Sequence, residues 1–153
     1  MAIRFYKAFV SPIKAISFDL DDTLYVNDEV IKIAEQAQFD VLSNAIESIK
    51  VAGIEPWLTL KWQVLEANPQ VKHDVTLWRK EVIRLGLSAH TDDQALIEQL
   101  IDKGFKAFYK ARSNFELEPR VFEVLDKLKS KFPLVAITNG NVDIHRLGLT
   151  PYF

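Results

Sequence analysis

Two short segments of the chain, at residues 13–18 and 134–137, are almost continuously apolar. Such runs are typical of strands in a parallel sheet with both faces covered, because strands with one exposed face alternate apolar and polar residues. Each run ends in polar residues, at 19–23 after the first and at 138–141 after the second. Open α/β sheets place their chemistry at the carboxyl ends of strands, so the two polar segments are candidates for one site.

A helical pattern leads into the second apolar run. Pro119 suits the first position of a helix, and an apolar face follows it at helical spacing. That face comprises Val121, Val124, Leu125, Leu128 and Phe132. A helix that leads directly into a strand is the second half of a parallel crossover connection. The stretch from residue 27 to residue 118 is far longer than a crossover needs, so we predict an inserted domain.

The insertion has a helical pattern throughout. Its first helix is predicted from one apolar stripe, which consists of Val30, Ile33, Ala34, Ala37, Val41, Ala45 and Ile49. Gly53 and Pro56 end that helix. Three further helices are predicted over residues 58–67, over residues 74–85 with Gly86 as the stop, and from a capping box at residues 91–94. We therefore predict an α/β fold with a parallel-sheet core at residues 1–26 and 117–153, and a helical bundle at residues 27–116.

The composition is that of a globular protein, with 48% hydrophobic and 26% charged residues. A net charge of -2 provides no basic surface, so we expect no binding to nucleic acid or to an anionic membrane. The absence of cysteine excludes disulfides and thiolate metal sites and fits a cytoplasmic location. The first ten residues lack the apolar centre of a signal peptide, and no apolar run approaches the ~20 residues of a membrane span.

Asp19 and Asp21 directly follow the first predicted strand. Side chains two residues apart on an extended backbone point the same way, so both carboxylates can face one site while Leu20 packs elsewhere. Phosphoryl transfer through an aspartyl-phosphate needs such a pair, because one carboxylate attacks phosphorus and the other moves protons. Two carboxylates also suit Mg²⁺.

A turn or a helix cap is the structural alternative for these acidic residues, and it would be the better interpretation of an isolated Asp-x-Asp. Here the pair follows a predicted buried strand, and Asp22, Thr23 and Leu24 come next. A matching strand ends in Thr138 and Asn139. This combination favours the catalytic interpretation.

At these residues the chain resembles the haloacid dehalogenase superfamily. The first signature of that superfamily is an apolar strand followed by Asp-x-Asp-x-Thr-Leu, which residues 19–24 match. The second is an apolar strand that ends in Ser or Thr, which residues 134–138 match. The resemblance implies a Rossmann-like parallel-sheet core, of which this chain holds the N-terminal part, and a helical cap inserted between the two signatures.

The resemblance also implies roles for individual residues. Asp19 would be the nucleophile and Asp21 the general acid/base. Thr138, Asn139 and nearby backbone amides such as that of Leu20 would bind the phosphate. Mg²⁺ would be bound by the Asp19 carboxylate and the Asp21 backbone carbonyl. Dehalogenases of the superfamily lack the second Asp, because no alkoxide leaving group needs a proton, so Asp21 favours a phosphatase or a phosphomutase.

Over nearly its whole length the chain is similar to the flavin-pathway phosphatases of this superfamily, with matches at residues 4–6, 18–25, 73–79 and 133–141. That similarity implies a small phosphorylated metabolite as the partner. The implied substrates are flavin mononucleotide and the phosphorylated ribitylaminouracil precursor of riboflavin. In the small-metabolite subclass the cap closes over the site and excludes water.

Two interpretations are open for His73, Trp78 and Arg79. A histidine at a helix start is usually a capping or surface feature, and a tryptophan at helical spacing usually belongs to the core. The functional alternative is that Trp78 stacks on a flavin or pyrimidine ring while Arg79 or His73 contacts a hydroxyl or a phosphate.

The superfamily needs two further elements, a lysine that neutralises the phosphate and an acidic pair that completes the Mg²⁺ shell. Both lie well downstream in relatives, so we expect the chain to be an N-terminal portion of a longer phosphatase. A two- or three-stranded sheet would also leave an apolar edge and an apolar face without cover. The alternative to a phosphatase is therefore a catalytically incomplete interaction module that self-associates through this edge.

Overall fold

The computed structural model describes residues 12–153. The first apolar run forms strand β1, Ile16–Phe18, and the second forms strand β2, Leu134–Ala136. The two strands pair in parallel, as expected for a crossover connection. The sequence match at residues 4–6 lies outside the described part of the chain.

Six α-helices lie between the two strands in the described chain: α1 Asn27–Ala45, α2 Glu47–Ala52, α3 Glu55–Ala67, α4 Val75–Ser88, α5 Gln94–Arg112 and α6 Pro119–Lys129. A short 3-10 helix, Pro69–His73, connects α3 to α4. Pro119 stands at the first position of α6, as predicted. The α/β fold with an inserted helical cap is confirmed, whereas the domain boundaries stay a prediction.

The first predicted helix is two helices in the structure. Ile46 adopts an extended backbone conformation between α1 and α2, which breaks the helix before Gly53. The buried face of α1 consists of Ala34, Gln38, Leu42 and Ser43. The predicted stripe was therefore rotated, since Ile33 is 62% exposed. The buried face was not recognised from the sequence because it contains Gln38, and a pattern of apolar spacing assigns polar residues to the exposed face.

Gly86 does not end α4, which continues to Ser88. A methyl group on Gly86 would lie 2.4 Å from a ring carbon of Trp57, so the glycine allows α3 and α4 to approach closely. The start of α5 also differs from the capping-box prediction. Asp93 is the N-cap, and its Oδ1 accepts a hydrogen bond of 3.1 Å from the Leu96 N–H.

Three groups of buried side chains form the interior of the described chain, and the smallest consists of Val64, Val71 and Val82. In the cap, α1 packs along α5, and the buried residues include Leu42, Ile83, Leu87, Ile97 and Leu100. Around the sheet, the buried residues include Leu20, Leu125, Leu134, Leu147 and Leu149. The apolar side chains of α6 and of the C-terminal segment thus cover one side of the two strands.

The other side of the sheet is open among the described residues. Val135 is 48% exposed and Ile137 is 64% exposed. Such apolar runs are typical of strands covered on both faces, whereas among residues 12–153 α6 and the C-terminal segment pack on one face only. The open face agrees with the expectation that a sheet of two or three strands lacks cover. None of the helices in this part of the chain is long and apolar enough to cross a membrane.

Candidate active site

The segment after β1 is anchored by Leu20. Its side chain is fully buried in the sheet core, which turns the neighbouring carboxylate of Asp19 towards the surface. The Leu20 N–H donates a hydrogen bond of 2.8 Å to Asp19 Oδ1. The Leu20 carbonyl accepts from the N–H groups of Thr23 and Leu24, which closes a tight turn. A single buried leucine therefore fixes the backbone that carries both acidic residues.

Asp22 has a structural task in this turn. It adopts a left-handed backbone conformation, with φ of 54°, which aspartate tolerates better than most residues. Its Oδ1 accepts a hydrogen bond of 2.8 Å from the Asn27 N–H at the start of α1. The residue at the N-cap position, Val26, makes no side-chain cap of its own. Asp22 therefore joins the turn after β1 to the first helix of the cap.

Asp21 is held by two side chains on the same oxygen. Its Oδ1 accepts a hydrogen bond of 2.6 Å from Arg112 Nη2 and another from the Tyr25 hydroxyl. Arg112 is the last residue of α5 and only 1% exposed, whereas the Asp21 side chain is 21% exposed. In the described chain this leaves Asp21 Oδ2 without a hydrogen-bond partner, so Oδ2 is the oxygen available to a substrate.

Tyr25 is a stable hydrogen-bond donor in this arrangement. Partial burial raises the pKa of its phenol well above the usual value of 10, and the hydrogen bond to the Asp21 carboxylate raises it further. The hydroxyl therefore stays protonated at neutral pH. The Tyr25 ring also packs edge-on against Phe115, with ring centroids 4.7 Å apart.

Gly140 brings the ends of the two strands together. A methyl group on this glycine would lie 2.9 Å from Asp21 Oδ2 and 3.3 Å from Thr138 Oγ1. The Gly140 N–H donates a hydrogen bond of 3.0 Å to the same Thr138 oxygen. The carboxylate after β1 and the hydroxyl after β2 thus flank one glycine, which leaves no room for a larger residue between them.

A cavity of about 390 Å³ extends from this point into the cap. Asp21, Asn139 and Gly140 line one end, and side chains of α1, α3, α4 and α5 line the rest. Trp78 forms part of the wall, and its indole N–H donates a hydrogen bond of 3.1 Å to the Lys61 carbonyl, which fixes the ring. This volume lies in the range of small-molecule sites.

Arg79 projects into the cavity as a buried cation. Its guanidinium lies 3.4 Å from the centre of the Phe108 ring, and Nη1 is 3.9 Å from Glu35 Oε1. Burial, partly offset by the charge of Glu35 and reinforced by that of Arg112, lowers the pKa of Arg79 to about 10. The side chain still carries its charge at neutral pH, so it supplies positive charge in a largely apolar chamber.

Four of the eight residues proposed for the site from the sequence line this cavity: Asp21, Trp78, Arg79 and Asn139. The other four are not among the lining residues of the described chain: Asp19, Leu20, His73 and Thr138. Asp19 and Thr138 lie at the adjacent strand ends, and the Leu20 amide contacts Asp19. His73 is exposed at the end of the 3-10 helix.

The sequence reasoning missed Arg112 and Tyr25, which contact Asp21, and Gln38, which lines the cavity. Arg112 continues the buried face of α5 one helical turn beyond Phe108, so its spacing could have placed it inside. A charged residue on an apolar face signals a buried partner, but the pattern does not say which. The partner is 91 residues away in the sequence.

Comparisons with known proteins extend this picture. No protein-family model matches the sequence. The chain is 35% identical over 156 residues to 5-amino-6-(5-phospho-D-ribitylamino)uracil phosphatase YigB of Escherichia coli (strain K12), which covers 99% of this chain and 63% of that protein. It is also 34% identical to the crystal structure of a 2-haloacid dehalogenase from Pseudomonas syringae pv. Tomato DC3000, with a TM-score of 0.79. That alignment covers 93% of this chain and 62% of that one.

In sequence and in fold, the chain is similar to hydrolases of the haloacid dehalogenase superfamily. The resemblance read from residues 19–24 and 134–138 is thereby confirmed, and so is the assignment to a family of hydrolases. The chain spans a little under two thirds of the length of both relatives.

The described residues offer a partial donor set for the Mg²⁺ that the superfamily generally uses. No cluster of three or more histidine, cysteine, aspartate or glutamate side chains exists in the described chain. The Asp21 carboxylate is engaged by Arg112 and Tyr25, whereas the Asp19 carboxylate is exposed. Mg²⁺ in phosphate-transfer sites is commonly bound by one or two carboxylates together with waters and substrate oxygens. The exposed Asp19 carboxylate is a ligand of that kind, and the binding of Mg²⁺ by Asp19 together with the Asp21 backbone carbonyl stays a prediction.

Proposed function

We propose that this chain supplies the nucleophile and the general acid/base for hydrolysis of a phosphomonoester through an aspartyl-phosphate. The main support is the grouping at the ends of β1 and β2, where the Asp21 carboxylate and the Thr138 hydroxyl flank Gly140. The cavity begins beside them at Asn139. The similarity to a ribitylaminouracil phosphatase supports the same reaction.

In the proposed first step, an Asp19 carboxylate oxygen forms a bond to phosphorus, and the bond from phosphorus to the ester oxygen breaks. Asp21 gives its proton to the departing alkoxide. Because Arg112 and Tyr25 both hold Oδ1, the proton is transferred from Oδ2, which faces Gly140. Two fixed contacts on one oxygen keep the other in a constant position.

In the proposed second step, water attacks the phosphorus of the aspartyl-phosphate, and Asp21 accepts a proton from that water. The bond between phosphorus and the Asp19 oxygen breaks, which releases phosphate and restores the carboxylate. Thr138, Asn139 and the Leu20 amide are proposed to bind the phosphoryl oxygens. Mg²⁺ held by Asp19 and the Asp21 carbonyl would offset the negative charge of the phosphoryl group.

We propose a small phosphorylated metabolite as the substrate, either flavin mononucleotide or a ribitylaminouracil phosphate of the riboflavin pathway. The aromatic walls of the cavity support a ring-bearing substrate, since Trp57 and Trp78 both line it. The net charge of -2 supports neither nucleic acid nor an anionic membrane as a partner. Such a metabolite phosphatase would act in the cytoplasm.

The test is Mg²⁺-dependent turnover of p-nitrophenyl phosphate. We expect turnover either by the 153-residue chain or by the chain supplied with the part of the E. coli relative that the alignment does not cover. Asp19→Asn should abolish it. Asp22→Asn is the matched control, because an asparagine oxygen can still accept from the Asn27 N–H and turnover should persist. Equal turnover by Asp19→Asn and the parent would exclude Asp19 as the nucleophile.

The exposed sheet face favours a second candidate function, an interaction module that pairs with another copy of itself. Val135 and Ile137 present an apolar surface beside an unpaired strand edge in the described chain. Light scattering over a range of concentrations tests this. If the surface self-associates, Ile137→Ser should lower the apparent mass of the chain, and the exposed Val51→Ser in the cap should not. A mass that matches the monomer at all concentrations would remove this candidate.

A further inference from the structure

Three buried side-chain atoms have no hydrogen-bond partner among residues 12–153: Asn27 Oδ1, Gln38 Oε1 and Arg112 Nη1. All three residues line the cavity in the cap. Buried polar groups are nearly always paired, and an unpaired one is costly because it has lost its contact with water. Three such atoms around one chamber indicate a set of hydrogen-bonding positions for a bound molecule.

These atoms lie at different depths of the cavity. Asn27 begins α1 beside the Asp21 turn, and Gln38 is three helical turns further, about 16 Å along the axis at 1.5 Å per residue. Gln38 also lies near Gly104 of α5, where a methyl group would be 3.5 Å from its Cγ. Arg112 lies two turns beyond Gly104, at the end where it binds Asp21. The chamber is therefore elongated, with Gln38 remote from the phosphate end.

The surroundings of Gln38 suit a flat ring. Trp57 and Phe39 line the cavity and pack edge-on, with ring centroids 6.5 Å apart. Trp57 is only 8% exposed, and its ring packs closely against α4 at Gly86. Aromatic walls in the same cavity as one unpaired amide oxygen suit a planar ring system that carries polar atoms on its edge.

We propose that Gln38 determines substrate specificity by binding the imide edge of a planar ring, as found in pyrimidinediones and flavins. A carboxamide presents an acceptor beside donors, which complements a ring N–H flanked by a carbonyl. The unpaired Oε1 accepts the ring N–H, and the phosphate arm extends along α1 towards Asp21. This assignment rests on the proposed function and adds the residue that selects the ring.

Riboflavin binding tests the proposal without hydrolysis. Quenching of flavin fluorescence on titration with the 153-residue chain gives the dissociation constant. Gln38→Met keeps the length of the side chain and removes the amide, and it should weaken binding about ten-fold, the loss of one good hydrogen bond. Methylation of the flavin at N3 removes the ring N–H, and this ligand should bind the parent and Gln38→Met equally.

Gln36→Met is the matched control. Gln36 lies on the exposed side of the same helix, and its Nε2 donates to Asp40 at 2.7 Å. This variant should bind riboflavin as the parent does. The proposal is overturned if the folded parent does not bind riboflavin, or if Gln38→Met binds riboflavin as tightly as the parent does. It is also overturned if the Gln38→Met substitution weakens binding of the N3-methyl flavin as much as it weakens binding of riboflavin.

The two proposals fail separately. If flavin binding depends on Gln38 but the chain never turns over p-nitrophenyl phosphate, the contact between Gln38 and the ring is supported and the proposed hydrolysis is excluded. If turnover depends on Asp19 but Gln38→Met binds riboflavin as tightly as the parent does, the proposed hydrolysis is supported and the contact between Gln38 and the ring is overturned.

Discussion

Asp19 and Asp21 have different chemical roles in the proposed reaction, and the structure also predicts different consequences for stability when each loses its charge. Asp19 is exposed, and its Oδ1 accepts from the Leu20 N–H, which an asparagine oxygen can also do. Asp21 neutralises Arg112, which is only 1% exposed. Replacement of Asp21 by asparagine therefore leaves a guanidinium buried without a counter-charge.

The magnitude follows from the ion pair. At a charge separation of about 4 Å and an effective dielectric constant of about 20, the attraction between the two groups is about 4 kcal/mol. Removing one member of a buried pair typically costs about 3–5 kcal/mol. Because the Asp21 side chain is 21% exposed, and the amide oxygen of the new side chain would still accept hydrogen bonds, we expect Asp21→Asn to lower the free energy of unfolding by about 3 kcal/mol. Asp19→Asn should change it by less than about 0.5 kcal/mol.

Urea unfolding at neutral pH, followed by circular dichroism, measures both variants. Arg112→Met completes a double-mutant cycle. The double variant Asp21→Asn/Arg112→Met should recover most of the stability that Asp21→Asn alone loses, because the uncompensated cation is no longer present. Functional sites often gain stability when a carboxylate is removed from a cluster of like charges. An Asp21→Asn chain as stable as the parent, or more stable, would therefore refute the assignment of Asp21 as the counter-ion of Arg112.

Three further variants have defined outcomes. Gly86→Ala should lose about 1–3 kcal/mol in urea unfolding, because the new methyl meets Trp57 at 2.4 Å, whereas Gly104→Ala, with 3.2 Å to its nearest neighbour, should be close to neutral. The raised pKa of Tyr25 means that above about pH 10 the phenol ionises in the unfolded chain before it ionises in the folded chain, which lowers the free energy of unfolding of the parent. Tyr25→Phe cannot ionise at this position, so its free energy of unfolding should not show this decrease above about pH 10. Arg79→Met should raise the free energy of unfolding by about 1–3 kcal/mol, because burial lowers the pKa of Arg79 from 12.5 to about 10; an unchanged or lower value by calorimetry would contradict this.

The elements with local signals were predictable from the sequence. The strand before Asp19, the helix that begins at Pro119 and the strand before Thr138 each show a short apolar pattern bounded by a polar or helix-starting residue. Their parallel pairing followed from the helix that leads directly into β2. Because the acidic and hydroxyl residues lie at strand ends, the grouping of Asp21 with Thr138 also followed from topology.

The remaining features depend on packing between distant segments. The buried face of α1 contains Gln38, which a rule based on apolar spacing excludes, so the predicted stripe was rotated. Gly86 was taken as a helix stop, yet its role is to admit the Trp57 ring. The contact of Arg112 with Asp21 joins residues 91 positions apart, and no local pattern specifies such a pair.

The position of the Arg112–Asp21 ion pair would connect the proposed general acid/base to any movement of the cap. Asp21 lies where the chain leaves the sheet for α1, and Arg112 lies where it returns from α5, so the pair fastens the two crossings to each other. A swing of the helices about these crossings either ruptures the pair or displaces the Asp21 carboxylate. An open cap that releases product and an Asp21 carboxylate positioned for proton transfer would then be mutually exclusive states of the protein.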